Sequence, residues 1–226
     1  MRRREMTAMV SSLLWLGGWQ ESAQAGILSQ ADASAGVRAA LERGAVAAVG
    51  LLGQQDGFLG NPKVRIPLPG FLNDAAKVLK FTGQQKRVDE LTTAMNRAAE
   101  AAVPEARDML VNAAKTISVQ DALKIVRGGD TSVTDYFAGR TRSPLTTKFL
   151  PIVTEATAKV SLAEKYNAVA AKATGLGLVK KEDANIQNYV TRKALDGLYV
   201  MIGEEEEKIR QDPVGTGSNL LRKVFG

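Results

Sequence analysis

Residues 53–70 read GQQDGFLGNPKVRIPLPG, in a chain whose other segments have helical patterns. Three residues of this ribbon directly precede prolines, and a residue before proline is biased toward extended conformations. Pro67 and Pro69 have no backbone N–H, so the ribbon cannot be an inner strand of a sheet. We therefore expect an extended segment that runs across a helical protein.

The ribbon alternates apolar and basic side chains. In an extended chain Val64, Ile66 and Leu68 point to one side, whereas Lys63 and Arg65 point to the other. Such a long connection is either functional or firmly packed. Two interpretations stay open: a strap with an apolar underside, and a binding loop that uses Lys63 and Arg65.

Apolar residues on both sides of the ribbon recur at steps of three and four, which is typical of amphipathic helices. The sequence predicts an all-α protein, a multi-helix bundle or array with one proline-rich ribbon. Residues 26–226 are expected to form a single helical domain. Helices are predicted over 29–52, 71–79, 84–102, 104–117 and 119–127, with a short helical turn near 131–137. A further helical segment is predicted from Ser143-Pro144 to Gly175, with a kink or a restart at Pro151. The last predicted helix begins at about Asp183.

The N-terminus has the three-part pattern of a secretory signal peptide. Arg2 to Arg4 precede an apolar stretch at about 6–19, and Ala23-Gln24-Ala25 offers small residues before a cleavage site. The apolar stretch is shorter than the roughly 20 residues of a membrane span, which disfavours an anchor. We expect cleavage after Ala25 and a periplasmic product; secretion is the alternative.

The chain contains no histidine and no cysteine. Ser-His-Asp and Cys-His mechanisms are therefore excluded, and zinc sites are disfavoured because they are built mostly from these residues. Neither a metal nor another cofactor is predicted. The half-fingerprint Gly175-Leu-Gly177 lacks the third glycine and the βαβ context of a dinucleotide site.

Carboxylates remain the candidates for acid–base chemistry, and Glu100 is the most specific of them. Asn96 lies one helical turn before it and Arg97 is adjacent, so all three side chains are neighbours. Glu100 is a weak candidate for the general acid of a glycosidase-like enzyme, which normally needs a second carboxylate. The other interpretation is a structural Asn–Arg–Glu network that joins helices.

The other charged residues are typical of a surface in contact with solvent. Glu204 to Glu207 precede Lys208 and Arg210, and the pairs Glu204–Lys208 and Glu206–Arg210 have the favourable i,i+4 order. The net charge of +6 is spread in pairs along the chain, without the dense basic face of a nucleic-acid-binding protein. No nucleic-acid partner is predicted.

Five stretches together resemble domain-of-unknown-function family 4197, a family of exported bacterial proteins. They are GVRAALERGAVAAV, DGFLGNPKVRIPLP, MNRAAEAAVPEA, YVTRKALDGLYVMIGEEEEKIRQDP and the terminal LLRKVFG. The resemblance implies an exported, mostly helical domain and transfers no catalytic residue. Many relatives resemble lipoproteins, whereas this chain has no cysteine to carry a lipid.

The sequence thus favours a non-catalytic periplasmic protein that binds an envelope protein, a lipid or another apolar ligand. Two alternatives remain. One is a carboxylate-dependent hydrolase of envelope polymers. The other is a peripheral membrane protein that uses the amphipathic residues 218–226, although a terminal helix docked on the body explains that segment as well.

Overall fold

The computed structural model describes residues 30–70, 72, 83, 85–129, 131–175, 183 and 185–212. The expected signal peptide at 1–25 and the C-terminal segment 218–226 lie outside these residues. So does the predicted helix at 71–79, apart from Leu72.

The described residues are mainly α-helical, and none of them forms a strand, which confirms the predicted all-α class. A short 3-10 helix, Val103–Ala106, connects α2 to α3 and carries Pro104 in its first turn. The α-helices are α1 Gln30–Leu52, α2 Gln85–Ala102, α3 Arg107–Lys115, α4 Val119–Arg127, α5 Ser132–Thr157, α6 Ser161–Gly175 and α7 Ile186–Gln211.

The long helices α1, α5 and α7 form the centre of the packing. Helix α7 packs on both α1 and α5, α2 packs on α5 and α7, and α3 and α4 pack on α1. Several of the buried residues of α1 and α2 are alanines, whose small side chains let neighbouring helices approach closely. The buried apolar side chains, including those of the ribbon, belong to one hydrophobic cluster.

Helix α5 corrects the predicted boundaries, because it continues through both Pro144 and Pro151 and ends at Thr157. A proline inside a helix removes one hydrogen bond and costs roughly 3 kcal/mol. The helix nevertheless has an unbroken buried stripe with a residue every four positions: Val133, Phe137, Thr141, Leu145, Phe149, Val153 and Thr157. Burial of this stripe outweighs the local signal for a new start at Ser143-Pro144.

Two predicted helix starts are defined by side-chain caps. The Ser118 hydroxyl accepts a hydrogen bond from the Asp121 N–H at 3.0 Å, as the sequence pattern indicates. The last helix begins at Ile186, three residues later than Asp183, because Asn185 is its cap and accepts from the Asn188 N–H at 2.7 Å.

Candidate functional site

The ribbon lies partly buried between the helices, with the alternation that the sequence predicts. Val64, Ile66 and Leu68 are buried, whereas Lys63 and Arg65 are exposed. Residues 65–69 belong to neither a helix nor a turn. The earlier part forms turns over 55–60 and 62–64, because backbone bonds such as Gly60 N–H to the Asp56 carbonyl close locally.

Asn96 of α2 holds the ribbon at Ile66. Its side-chain oxygen accepts from the Ile66 N–H at 2.8 Å, and its amide nitrogen donates to the Ile66 carbonyl at 3.0 Å. The same nitrogen also donates to the Thr92 carbonyl at 2.8 Å. A primary amide offers both an acceptor and two donor hydrogens, so a single fully buried side chain satisfies both polar groups of a ribbon residue.

Glu100, one turn further along α2, holds the turn part of the ribbon. Its Oε1 accepts from the backbone N–H groups of Phe58 and Leu59, at 3.0 and 3.1 Å. Its Oε2 accepts from Arg97 Nη1 at 2.5 Å. The Glu100 side chain is 5% exposed, and both of its oxygens are engaged inside the protein.

Arg97 links Glu100 to Asp56 in the first turn of the ribbon. Its Nη2 donates at 2.8 Å to Asp56, whose φ of 66° lies in the left-handed region that few residues other than glycine adopt. Two hydrogen bonds raise the pKa of Arg97 above its ordinary value. The bond to Glu100 has the larger effect, and the bond to Asp56 comes second. We call Asn96, Arg97 and Glu100 the brace.

The first turn of the ribbon also needs a residue without a side chain. A Cβ added to Gly57 would lie 2.5 Å from the carbonyl oxygens of both Leu51 and Leu52, at the end of α1. The Asp56-Gly57 pair therefore has a packing reason, beyond its suitability for a turn.

Helix α7 supports the other side of the ribbon. The Tyr189 hydroxyl donates to the Pro67 carbonyl at 3.0 Å, and burial raises the pKa of Tyr189 to about 12. Gly197 lies so close to the ribbon that an added Cβ would be 2.9 Å from the Phe58 ring and 3.1 Å from Val64 Cβ. The sequence pattern did not single out Tyr189 or Gly197 as site residues, although a glycine inside a helical pattern is a recognised signal of close packing.

The predicted binding cations differ from each other. Both are exposed, but Lys63 also forms an ion pair with Glu204 of α7 at 2.9 Å. This contact also corrects the predicted Glu204–Lys208 pair, since Lys208 bonds to Glu205 at 2.6 Å. The acid run is not a uniformly solvated face either, because Glu206 is buried.

The arrangement of Glu100 suits structural support better than proton transfer. A general acid must reach the substrate proton that it transfers. Here the carboxylate accepts three hydrogen bonds from protein groups, and the other carboxylate of the network, Asp56, binds the same Arg97. The geometry engages both carboxylate oxygens, one with the ribbon and the other with Arg97.

The described residues contain no group of three acidic side chains placed to hold a metal ion. Among the helices in the described ranges, none combines the length and the apolar character needed to cross a bilayer.

Comparisons with known proteins identify a family but no individual relative. No curated protein and no solved structure matches the chain significantly. One family matches residues 27–226, which include the ribbon, the brace and α7. The chain therefore belongs to the family described as "Protein of unknown function (DUF4197)".

Proposed function

We propose that this protein is a non-catalytic binding protein of the bacterial periplasm, whose braced ribbon is the surface that contacts a partner protein of the envelope. One observation carries the proposal: the polar side chains that could have served catalysis on α2 are used to fix the backbone of the ribbon. The ribbon is thereby held in one conformation with its outer side toward solvent.

A fixed ribbon suits binding because a segment that is already ordered loses little conformational entropy when a partner docks. Its outer side presents Arg65 next to the exposed Pro67, with Lys63 nearby. Arginine is enriched at protein interfaces, where its planar group pairs with carboxylates. The expected partner surface is therefore acidic around one apolar contact.

The signal-peptide pattern of the N-terminus supports an envelope location for this partner. The basic N-terminus, the short apolar stretch and Ala23-Gln24-Ala25 favour translocation and cleavage. N-terminal sequencing of the periplasmic fraction is expected to begin at Gly26. Recovery of only the uncleaved chain from the cytoplasm would contradict this part of the proposal.

The ribbon surface is tested by a photo-crosslinking amino acid placed at Arg65 in cells of the native host. The matched control carries it at Gln120, an exposed residue of α4, which packs on α1 and α5. We expect a discrete protein adduct from position 65 and none from position 120. Adducts of equal yield at both positions, or none at position 65, would reject the ribbon as the contact surface.

A further inference from the structure

A groove lies between the outer side of α1 and the last turn of α7. Its volume is about 700 Å³, and four of its six lining residues are apolar. The lining residues are Ala39, Glu42, Arg43, Val46, Ala47 and Ile209. The apolar members are only partly buried, so the groove is open toward solvent. We call it the α1–α7 groove.

Helix α1 is apolar on two sides. One side packs in the core through residues such as Leu41, Ala45 and Leu52. The other side lines the groove, and residues 44–53 contain no charged side chain. A helix that is apolar all round is normally buried. The groove is therefore a surface that suits a covering element.

The chain continues from the groove toward an amphipathic segment of matching length. Ile209 lies three residues before Asp212, where the described part of α7 and its cap ends. Residues 220–226 read LLRKVFG. As a helix this segment is about 10 Å long, and the stretch of α1 that lines the groove, residues 39–47, is about 12 Å long. The apolar residues that share one face of such a helix are Leu220, Leu221, Val224 and Phe225.

The connection between α7 and this segment favours the chain's own C-terminal residues over another occupant. Residues 213–219 span at most about 25 Å, which is enough to return to the groove. Asp212 is not helical and precedes Pro213, so α7 does not continue, and Gly215 and Gly217 permit a reversal of the chain. A short tether of this kind gives an effective concentration in the millimolar range. A second copy or a free ligand needs a comparable concentration to compete.

We propose that residues 220–226 dock in the α1–α7 groove and cover its apolar lining. The apolar face of the segment lies against Val46, Ala47 and Ile209. Burial of these side chains supplies the free energy of docking. The contact is separate from the ribbon and does not depend on the partner proposed above.

Charge has a minor part in this docking. Arg222 and Lys223 lie opposite the apolar face of the segment, so they point away from the groove. The acidic residue of the groove, Glu42, already has a partner, because it forms an ion pair with Lys115 at 3.5 Å. The apolar side chains, not the cations, therefore determine the fit.

A disulfide tests the docking specifically, because the chain contains no cysteine of its own. Val46→Cys and Phe225→Cys are combined in the full chain, which is then oxidised mildly and analysed by non-reducing electrophoresis. We expect a disulfide within one chain, since docking brings the two Cα atoms to the roughly 4–7 Å that this bond requires. No disulfide would overturn the proposal. A product of twice the mass would also overturn it, because a second copy would then occupy the groove.

Val169→Cys combined with Phe225→Cys is the matched control. Val169 is 46% exposed on α6, and α6 contacts the start of α7, where the Asn167 side chain accepts from the Ile186 N–H at 2.8 Å. That end of α7 is about 35 Å from the groove. The chain from Asp212 to position 225 spans up to about 43 Å, so the tether alone permits both disulfides. We expect the control disulfide to form at least tenfold more slowly, and equal rates would overturn the proposal.

Two variants of the segment separate apolar contact from charge. In the Val46→Cys, Phe225→Cys protein, Leu221→Ser should slow disulfide formation by about tenfold, because one apolar side chain leaves the contact. Arg222→Gln, on the opposite face, should change the rate by less than about twofold. A larger effect of Arg222→Gln than of Leu221→Ser would overturn the proposal. Thermal unfolding confirms that each variant is folded.

Vesicles of phosphatidylglycerol and phosphatidylethanolamine distinguish the groove from a membrane surface as the site of residues 220–226. If the segment is docked, the disulfide should form at the same rate with and without vesicles. A rate that falls strongly while the protein sediments with the vesicles would show that the segment prefers lipid, and would overturn the proposal.

Discussion

At the scale of single residues, the role of Glu100 distinguishes the two candidate functions, an enzyme and a binding protein. Its carboxylate receives two backbone N–H groups of the ribbon and one guanidinium. A hydrolase would need this group free to exchange a proton with substrate, whereas a brace needs it to remain an acceptor. The two roles predict opposite effects of the same substitution.

Glu100→Gln is expected to lower the free energy of unfolding by about 2–3 kcal/mol, because a neutral amide replaces the charged acceptor of several hydrogen bonds. Urea unfolding measures the loss. Glu105→Gln is the matched control, since its side chain is 55% exposed and its contact with Lys148 is 4.0 Å long, so we expect a change below about 0.5 kcal/mol. An unchanged stability together with loss of a measurable hydrolase turnover would establish Glu100 as catalytic.

Tyr189 gives the ribbon a dependence on alkaline pH. Burial raises its pKa from 10.0 to about 12, so the folded state retains the phenol proton more strongly than the unfolded state. A raised pKa contributes stability that is complete below pH 10 and is lost as the pH rises toward 12. Loss of the proton also removes the hydrogen bond to the Pro67 carbonyl.

We therefore expect Tyr189→Phe to lose less stability than the wild type between pH 10 and pH 12. Tyrosinate absorbance and thermal unfolding follow the two processes. Tyr166, whose pKa burial also raises to about 12, still titrates in the variant, so the difference between the two proteins is the informative quantity. Parallel stability curves would contradict the assignment to Tyr189.

At the scale of elements, the contact between the ribbon and α7 depends on the absence of a side chain at Gly197. Gly197→Ala should destabilise the protein by about 1–3 kcal/mol, because the new methyl group overlaps Phe58 and Val64. Chemical denaturation measures this cost.

Gly139→Ala on α5 is the matched control, because nothing lies within 4 Å of its added Cβ. There the substitution should stabilise the helix by about 0.5–1 kcal/mol. Effects of equal sign in the two variants would contradict the close packing of the ribbon on α7.

At the scale of the whole molecule, the ribbon is part of the core rather than a loop attached to it. It contacts α2 through the brace and α7 through Tyr189, and its apolar residues belong to the same buried cluster as the helices. A segment tied to several elements in this way should open only when the core opens.

Amide hydrogen exchange tests this coupling. We expect the amides of Phe58, Leu59 and Ile66 to exchange as slowly as amides in the middle of α2, since all three donate to side chains of the brace. In Glu100→Gln the first two should exchange faster. Rapid exchange of these amides in the wild type would show that the ribbon opens independently.

Much of this organisation can be read from the sequence alone, because it depends on local chemistry. Spacings of three and four predict helices, Ser118 and its neighbours predict a cap, and the alternation around Ile66 predicts the buried side of the ribbon. Composition by itself excludes the mechanisms that require histidine or cysteine, because the chain contains neither residue.

Other features were decided only by tertiary structure, because they depend on residues far apart in the chain. Helix α5 continues through two prolines because its buried stripe is covered along its whole length. Glu204 pairs with Lys63 rather than Lys208 because the ribbon brings that lysine to α7. The brace likewise exists only where packed elements meet, and local periodicity carries no information about which distant groups packing brings together.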